Sequence, residues 1–91
     1  MITNEIIVHG LVQGVGFRFM TKLVADQLHV FGTVENLANG DVSIVAQADS
    51  ETMTHFLTKI KASPSPSGHV ETMQVRELTD VQPLHSFRVT G

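Results

Sequence analysis

The chain has no cysteine, no tryptophan and no tyrosine. Without cysteine there is no disulfide scaffold, thiolate zinc site, iron–sulfur cluster or cysteine nucleophile, which fits a reducing compartment. Five phenylalanines are the only aromatic residues, too few for the stacking platform that single-stranded nucleic acid needs. Basic side chains are scarce as well: six against nine acids give a formal charge of −3. That balance supplies no field for coating a phosphate backbone. Long apolar runs are missing too, the longest being about three residues, and Met1-Ile2-Thr3-Asn4-Glu5 has no basic leader region. Neither a signal peptide nor a membrane-spanning segment is expected, and the cytoplasm is the expected location.

What remains is a globular composition, 42% hydrophobic with 16% charged residues. At 91 residues the expectation is a single domain, 1–91. Ile6, Val8 and Val12 alternate with Ile7, His9 and Leu11, so both faces of this first strand are apolar and it belongs inside a sheet. From Phe17 the period changes: Phe17, Met20, Val24 and Leu28 form the stripe of an amphipathic helix ending near His29. Segments Thr33–Leu37 and Asp41–Ala48 flank Asn39-Gly40, a hairpin signal. Asp49 or Ser50 caps a second helix with a stripe of Met53, Phe56, Leu57 and Ile60, stopped by Pro64 and Pro66. Lys59 and Lys61 suit its C-terminal end, where cations complement the helix dipole. Val70–Leu78 and Phe87–Thr90 complete the pattern as strands, with a turn near Pro83.

The order is βαββαβ plus a short closing strand. Two helices cannot cover both faces of so wide a sheet, so both are placed on one. The predicted fold is α+β: a ferredoxin-like α/β sandwich with a five-stranded, mostly antiparallel sheet.

The most informative stretch is Val12-Gln13-Gly14-Val15-Gly16-Phe17-Arg18. A strand stops, two glycines bend the chain, and a helix opens with an arginine in its first turn. Backbone N–H groups turned inward by glycines, together with those at the helix start, form an anion site. Arg18 adds a permanent charge and a planar fork that matches phosphate oxygens. From shape alone, a tight turn followed by an exposed arginine explains the residues equally well. The stretch is neither a dinucleotide fingerprint, which needs a third glycine, nor a Walker loop, which needs Gly-Lys-Ser/Thr.

Gly10-Leu11-Val12-Gln13-Gly14-Val15-Gly16-Phe17-Arg18 resembles the first signature of the acylphosphatases, enzymes that hydrolyse carboxyl–phosphate mixed anhydrides. Gly32-Thr33-Val34-Glu35-Asn36 resembles their second signature, and Asn39-Gly40 falls at their hairpin. The resemblance implies that the backbone of Gln13, Gly14, Val15, Gly16, Phe17 and Arg18 wraps the phosphate while the Arg18 side chain binds its oxygens. It also implies that Asn36 positions the attacking water. Read without it, Asn36 is an ordinary polar residue near a turn. The expected partners are a small-molecule acyl phosphate and inorganic phosphate, bound by a monomer with no nucleic acid or membrane. Three positions depart from the family's usual pattern: Thr33 where an aromatic is common, with packing beneath the site expected to change; His29 where glycine is usual; and Ser63-Pro64 where Gly-Pro is usual.

No metal or cofactor is expected. His9, His29, His55, His69 and His85 lack ligand spacing, and Asp26, Asp41, Asp49 and Asp80 form no pair to hold magnesium. His9 lies near the loop, where it can tune local charge. Met20, Met53, Met73 and Phe17 are expected in the core. Two other functions fit the same fold. One is a non-catalytic domain binding phosphate or carbamoyl phosphate, as in larger maturation enzymes. The other is a ferredoxin-like RNA-binding or regulatory module, which the charge and aromatic content disfavour. Acetyl phosphate, carbamoyl phosphate and 1,3-bisphosphoglycerate share the reacting group, and the sequence does not choose among them.

Overall fold

The computed structural model describes all of residues 1–91. Its elements are β1 (Ile2–Leu11), α1 (Phe17–Leu28), β2 (Phe31–Asn36), β3 (Val42–Ala48), α2 (Ser50–Lys61), β4 (His69–Leu78) and β5 (Phe87–Val89). The sheet order is β4-β1-β3-β2-β5. Every ladder is antiparallel except β2 with β5. β1 is an inner strand, between β4 and β3, as its apolar residues on both faces lead one to expect. No helix is long and apolar enough to cross a membrane.

The core lies between the sheet and the two helices. Ile6, Val8, Val34, Val42, Ile44 and Ala46 contribute from the strands, and Phe17, Ala25, Met53, Phe56 and Ile60 from the helices. Each large side chain buried here contributes roughly 1.5–3 kcal/mol. Phe56 meets Phe87 with ring centroids 6.3 Å apart and planes tilted by 59°, a favourable aromatic geometry. β5 is thereby fastened to α2 as well as to β2.

The two helices are specified differently. The α2 stripe is as expected, with Met53, Phe56 and Ile60 buried and Leu57 packed against the core. The Asp49 carboxylate caps the helix by accepting from the Thr52 N–H at 2.8 Å. That bond holds the Asp49 pKa below its ordinary value. On α1 the buried line is Phe17, Thr21 and Ala25, not Phe17, Met20, Val24 and Leu28. Val24 and Leu28 pack at its margin, and Met20 is half-buried. Small side chains at Thr21 and Ala25 let the helix approach the sheet, and the larger ones flank that contact. Of the other methionines, Met53 is core and Met73 packs against it.

The connection from β4 to β5 is longer and less regular than a turn near Pro83. It is held by the buried Gln47 side chain, whose amide donates to Thr3 Oγ1 at 3.0 Å and to the Gln82 carbonyl at 3.2 Å. Its Oε1 accepts from the Leu84 N–H at 2.7 Å. One buried side chain thus replaces a missing ladder.

Two of the departures noted above adopt left-handed backbone. His29 ends α1 with φ 59° and ψ 42°, and Ser63 follows α2 with φ 65°. A Cβ in this conformation costs on the order of 1 kcal/mol, which glycine avoids. His29→Gly is therefore expected to stabilise the fold by about 0.5–1 kcal/mol, net of the extra entropy glycine carries when unfolded. In urea denaturation the midpoint should rise with an unchanged slope; a lower midpoint would contradict the strain argument.

Candidate functional site

β1 leads into Val12–Gly16 and then α1. Gly14 and Gly16 have φ of 75° and 77°. A Cβ at either would meet nothing within 4 Å, so the backbone conformation, not crowding, selects glycine there. Gly16 occupies the α1 N-cap without a side-chain cap, and no acid sits in the first turn. The first α1 residue whose N–H is taken up is Met20, by the Gly16 carbonyl at 3.1 Å; the N–H groups of Gly14 through Phe19 donate to no backbone carbonyl. Six donors and the positive end of a helix thus lie in one short stretch without an internal backbone acceptor. Arg18 stands in this turn and forms no ion pair with any carboxylate.

Two side chains brace the loop from outside. The Gln13 amide donates to the Leu37 carbonyl at 2.9 Å and to the Asp41 carbonyl at 2.8 Å. The buried Ser65 hydroxyl, from the Ser-Pro tract, donates to the Val15 carbonyl. Leu37 directly follows Asn36, so Gln13 ties the loop to the end of β2. The side chain of Gln13 is therefore committed to the hairpin, a role separate from the one expected for its backbone.

Asn36 is the last residue of β2 and lies on the Val34 face of the strand, toward the helices. Its N–H donates to the Gly91 carbonyl at 3.2 Å. Its Oδ1 is buried and accepts no hydrogen bond, a state that costs about 1–3 kcal/mol. Asn36 and Arg18 line the same pocket, about 400 Å³, with Val12, Gly14, Gly16, Phe17, Phe19 and Val89. The structure brings together the glycines, Phe17, Arg18 and Asn36; Gln13 and Val15 flank the pocket without lining it. Thr33 does not lie beneath the site. It pairs with Val45 and alternates with Val34, so it faces the open side of the sheet, where an aromatic's loss leaves the pocket's packing untouched.

Sequence reasoning missed Phe19, Val89, Ser65 and the Gln13 amide. Phe19 carried a signal, as an apolar residue off the expected helix stripe. Val89 and Ser65 carried none, because β5 and the Ser-Pro tract reach the loop only through tertiary structure. A larger depression, about 460 Å³, lies among Thr3, Gln47, Glu77 and Asp80. With two carboxylates and no Lys or Arg in its wall, it is unsuited to a phosphate.

Fold and pocket together define a small α+β protein with a glycine loop, an arginine and a polar amide around one pocket. The family model described as acylphosphatase matches residues 4–89. An acylphosphatase of Enterococcus faecalis is 50% identical over 82 residues, covering 90% of each chain. One from Lacticaseibacillus paracasei is 42% identical over 90 residues, 99% of this chain and 97% of that protein. The crystal structure of acylphosphatase from Bacillus subtilis superposes with a TM-score of 0.95 at 33% identity, each chain fully covered. The chain belongs to the acylphosphatase family.

Behind the loop, His9 Nδ1 lies 2.6 Å from Asp41 Oδ1 and its Nε2 lies 3.5 Å from Glu71 Oε2. The hydrogen bond and charge of Asp41 raise the His9 pKa above its ordinary 6.5, and Glu71 adds to the effect. A raised folded-state pKa means the stabilisation is fully present below pH 6.5 and is lost as pH climbs through the raised value. His9→Gln should therefore melt below wild type at pH 6 and approach it as pH rises above 6.5. Parallel melting profiles from pH 6 to 9 would show that the pair contributes nothing.

Proposed function

We propose that the chain hydrolyses the carboxyl–phosphate bond of acyl phosphates to a carboxylate and inorganic phosphate. It works as one domain and a monomer, in the cytoplasm, on a small-molecule substrate, with no nucleic-acid or membrane partner. The observation that carries this reading is one pocket lined by Asn36 and by Gly14, Gly16, Phe17 and Arg18, in a stretch whose N–H groups donate to no backbone carbonyl. The phosphoryl group sits in the loop, with the backbone of Gln13 through Arg18 around it and the Arg18 guanidinium on its oxygens. Charge spreads over those oxygens in the transition state, and pre-aligned donors stabilise it without reorganising.

Asn36 orients the water. An amide both accepts and donates, so it can take a hydrogen from the water through Oδ1 and give one to a phosphoryl oxygen. The buried, unpaired Oδ1 supports this role. The water oxygen bonds to phosphorus as the bond from phosphorus to the carboxylate oxygen breaks, and the carboxylate departs with that electron pair. One water proton passes to a phosphoryl oxygen. A carboxylate is a good leaving group, so no strong general acid is required, and no carboxylate or imidazole lines the pocket.

The test is hydrolysis of benzoyl phosphate with EDTA present. Arg18→Ala should lose on the order of 10³-fold in activity. Activity within about tenfold of wild type would place the chemistry elsewhere. Asn36→Ala should lower turnover while leaving inhibition by inorganic phosphate unchanged; a parallel loss of both would rule out water positioning. No turnover by folded wild type that still binds phosphate would instead mark a binding domain.

A further inference from the structure

Seven large hydrophobic residues are exposed, and Phe19 is the only aromatic among them, at 63% exposure. Isolated apolar residues on a surface are ordinary. Phe19 is not isolated, because it shares the pocket wall with Val89, itself 43% exposed, and with Arg18 and Asn36. The two side chains come from different elements, Phe19 from the first turn of α1 and Val89 from the last residue of β5. Neither is needed by the core, which takes Phe17 and Phe87 from the same two elements. What they share is the rim of the cavity whose floor is the loop.

A phosphoryl group held by the loop must project its acyl group out of the pocket, past this rim. Arg18 is the only charged side chain in the wall, and the transferring phosphoryl group already engages it. A second phosphate or a carboxylate on the acyl portion would find no cation there. Arg88 alternates with Phe87 and Val89 along β5 and so faces the other side of the sheet. An apolar acyl group would instead cover Phe19 and Val89 and remove their surface from water.

We propose that Phe19 and Val89 form an acyl-group subsite, which makes the preferred substrates acyl phosphates with an aromatic or branched aliphatic acyl group. The proposal rests on the reading that the loop holds the phosphoryl group. The two residues select the substrate and take no part in breaking the bond.

The test compares kcat/KM for benzoyl phosphate and acetyl phosphate in wild type, Phe19→Ser, Phe19→Leu and Val89→Ser, together with inhibition by inorganic phosphate. Comparing the ratio of the two substrates in each variant with that in wild type cancels their intrinsic difference in reactivity. The ratio of benzoyl to acetyl should fall about tenfold in Phe19→Ser, the scale expected for lost apolar contact. It should fall less in Val89→Ser and stay near wild type in Phe19→Leu. Inhibition by phosphate should be unchanged in all three, which also shows that each variant is folded. An unchanged ratio in both serine variants, or an equal loss for both substrates, overturns the subsite. If wild type is not inhibited by phosphate and Arg18→Ala remains active, the loop reading itself has failed. If those two controls behave as expected and the ratio does not move, the subsite alone has failed.

Discussion

The site depends on a pair of hydrogen bonds that never touch it. The loop and Asn36 belong to different elements, and chemistry at phosphorus tolerates little error in their separation. The Gln13 amide spans that gap by donating both its hydrogens, one to the Leu37 carbonyl and one to the Asp41 carbonyl. With Ser65 holding Val15 from the other side, the loop is fixed at two points. Its own N–H groups need not fold back on the chain to be held in place. Rigidity is supplied from behind, so the loop's N–H groups can remain without a backbone acceptor.

Asp41 extends this bracing. Its carbonyl accepts from Gln13 and from the Leu37 N–H. Its carboxylate accepts from Asn39 and meets His9, and its own N–H donates to the Asn39 side chain. The Asn39-Gly40 hairpin therefore does more than reverse the chain between β2 and β3. It presents the Leu37 and Asp41 carbonyls to the loop, and its Asp41 carboxylate also holds an exposed histidine on β1.

Much of this was legible in the sequence because local rules and tertiary demands coincide. Asn39-Gly40 specifies a turn wherever it occurs between strands, and the Asp49 cap and α2 stripe obey the same periodicities inside and outside a protein. Val42, Ile44, Ala46 and Ala48 alternate with Ser43, Val45 and Gln47, and all four are buried. The α1 stripe was misread for a physical reason. Size suggested Met20, Val24 and Leu28 as the inward face, but close approach to the sheet favours the small Thr21 and Ala25. The irregular connection before β5 was legible only in outline, since its support is Gln47, a polar residue that periodicity assigns to no core. Arg18 and Asn36 were legible as a pair only through the resemblance to a family. Their convergence is created by sheet order, which no spacing along the chain reveals.

That order has a consequence for how the chain is made. β1 precedes both of its sheet neighbours in the chain and lies between them, so Ile2 pairs with Ala48 and Thr3 with Leu78. Its two neighbours leave the ribosome long after it does. Until then it is an apolar strand with both edges open, a template for pairing with other chains. Closing such distant contacts carries its entropic cost before it brings any reward, so folding is slow for a chain of this size. The Val12–Gly16 loop thus precedes in the chain both strands whose pairing locks β1 in place.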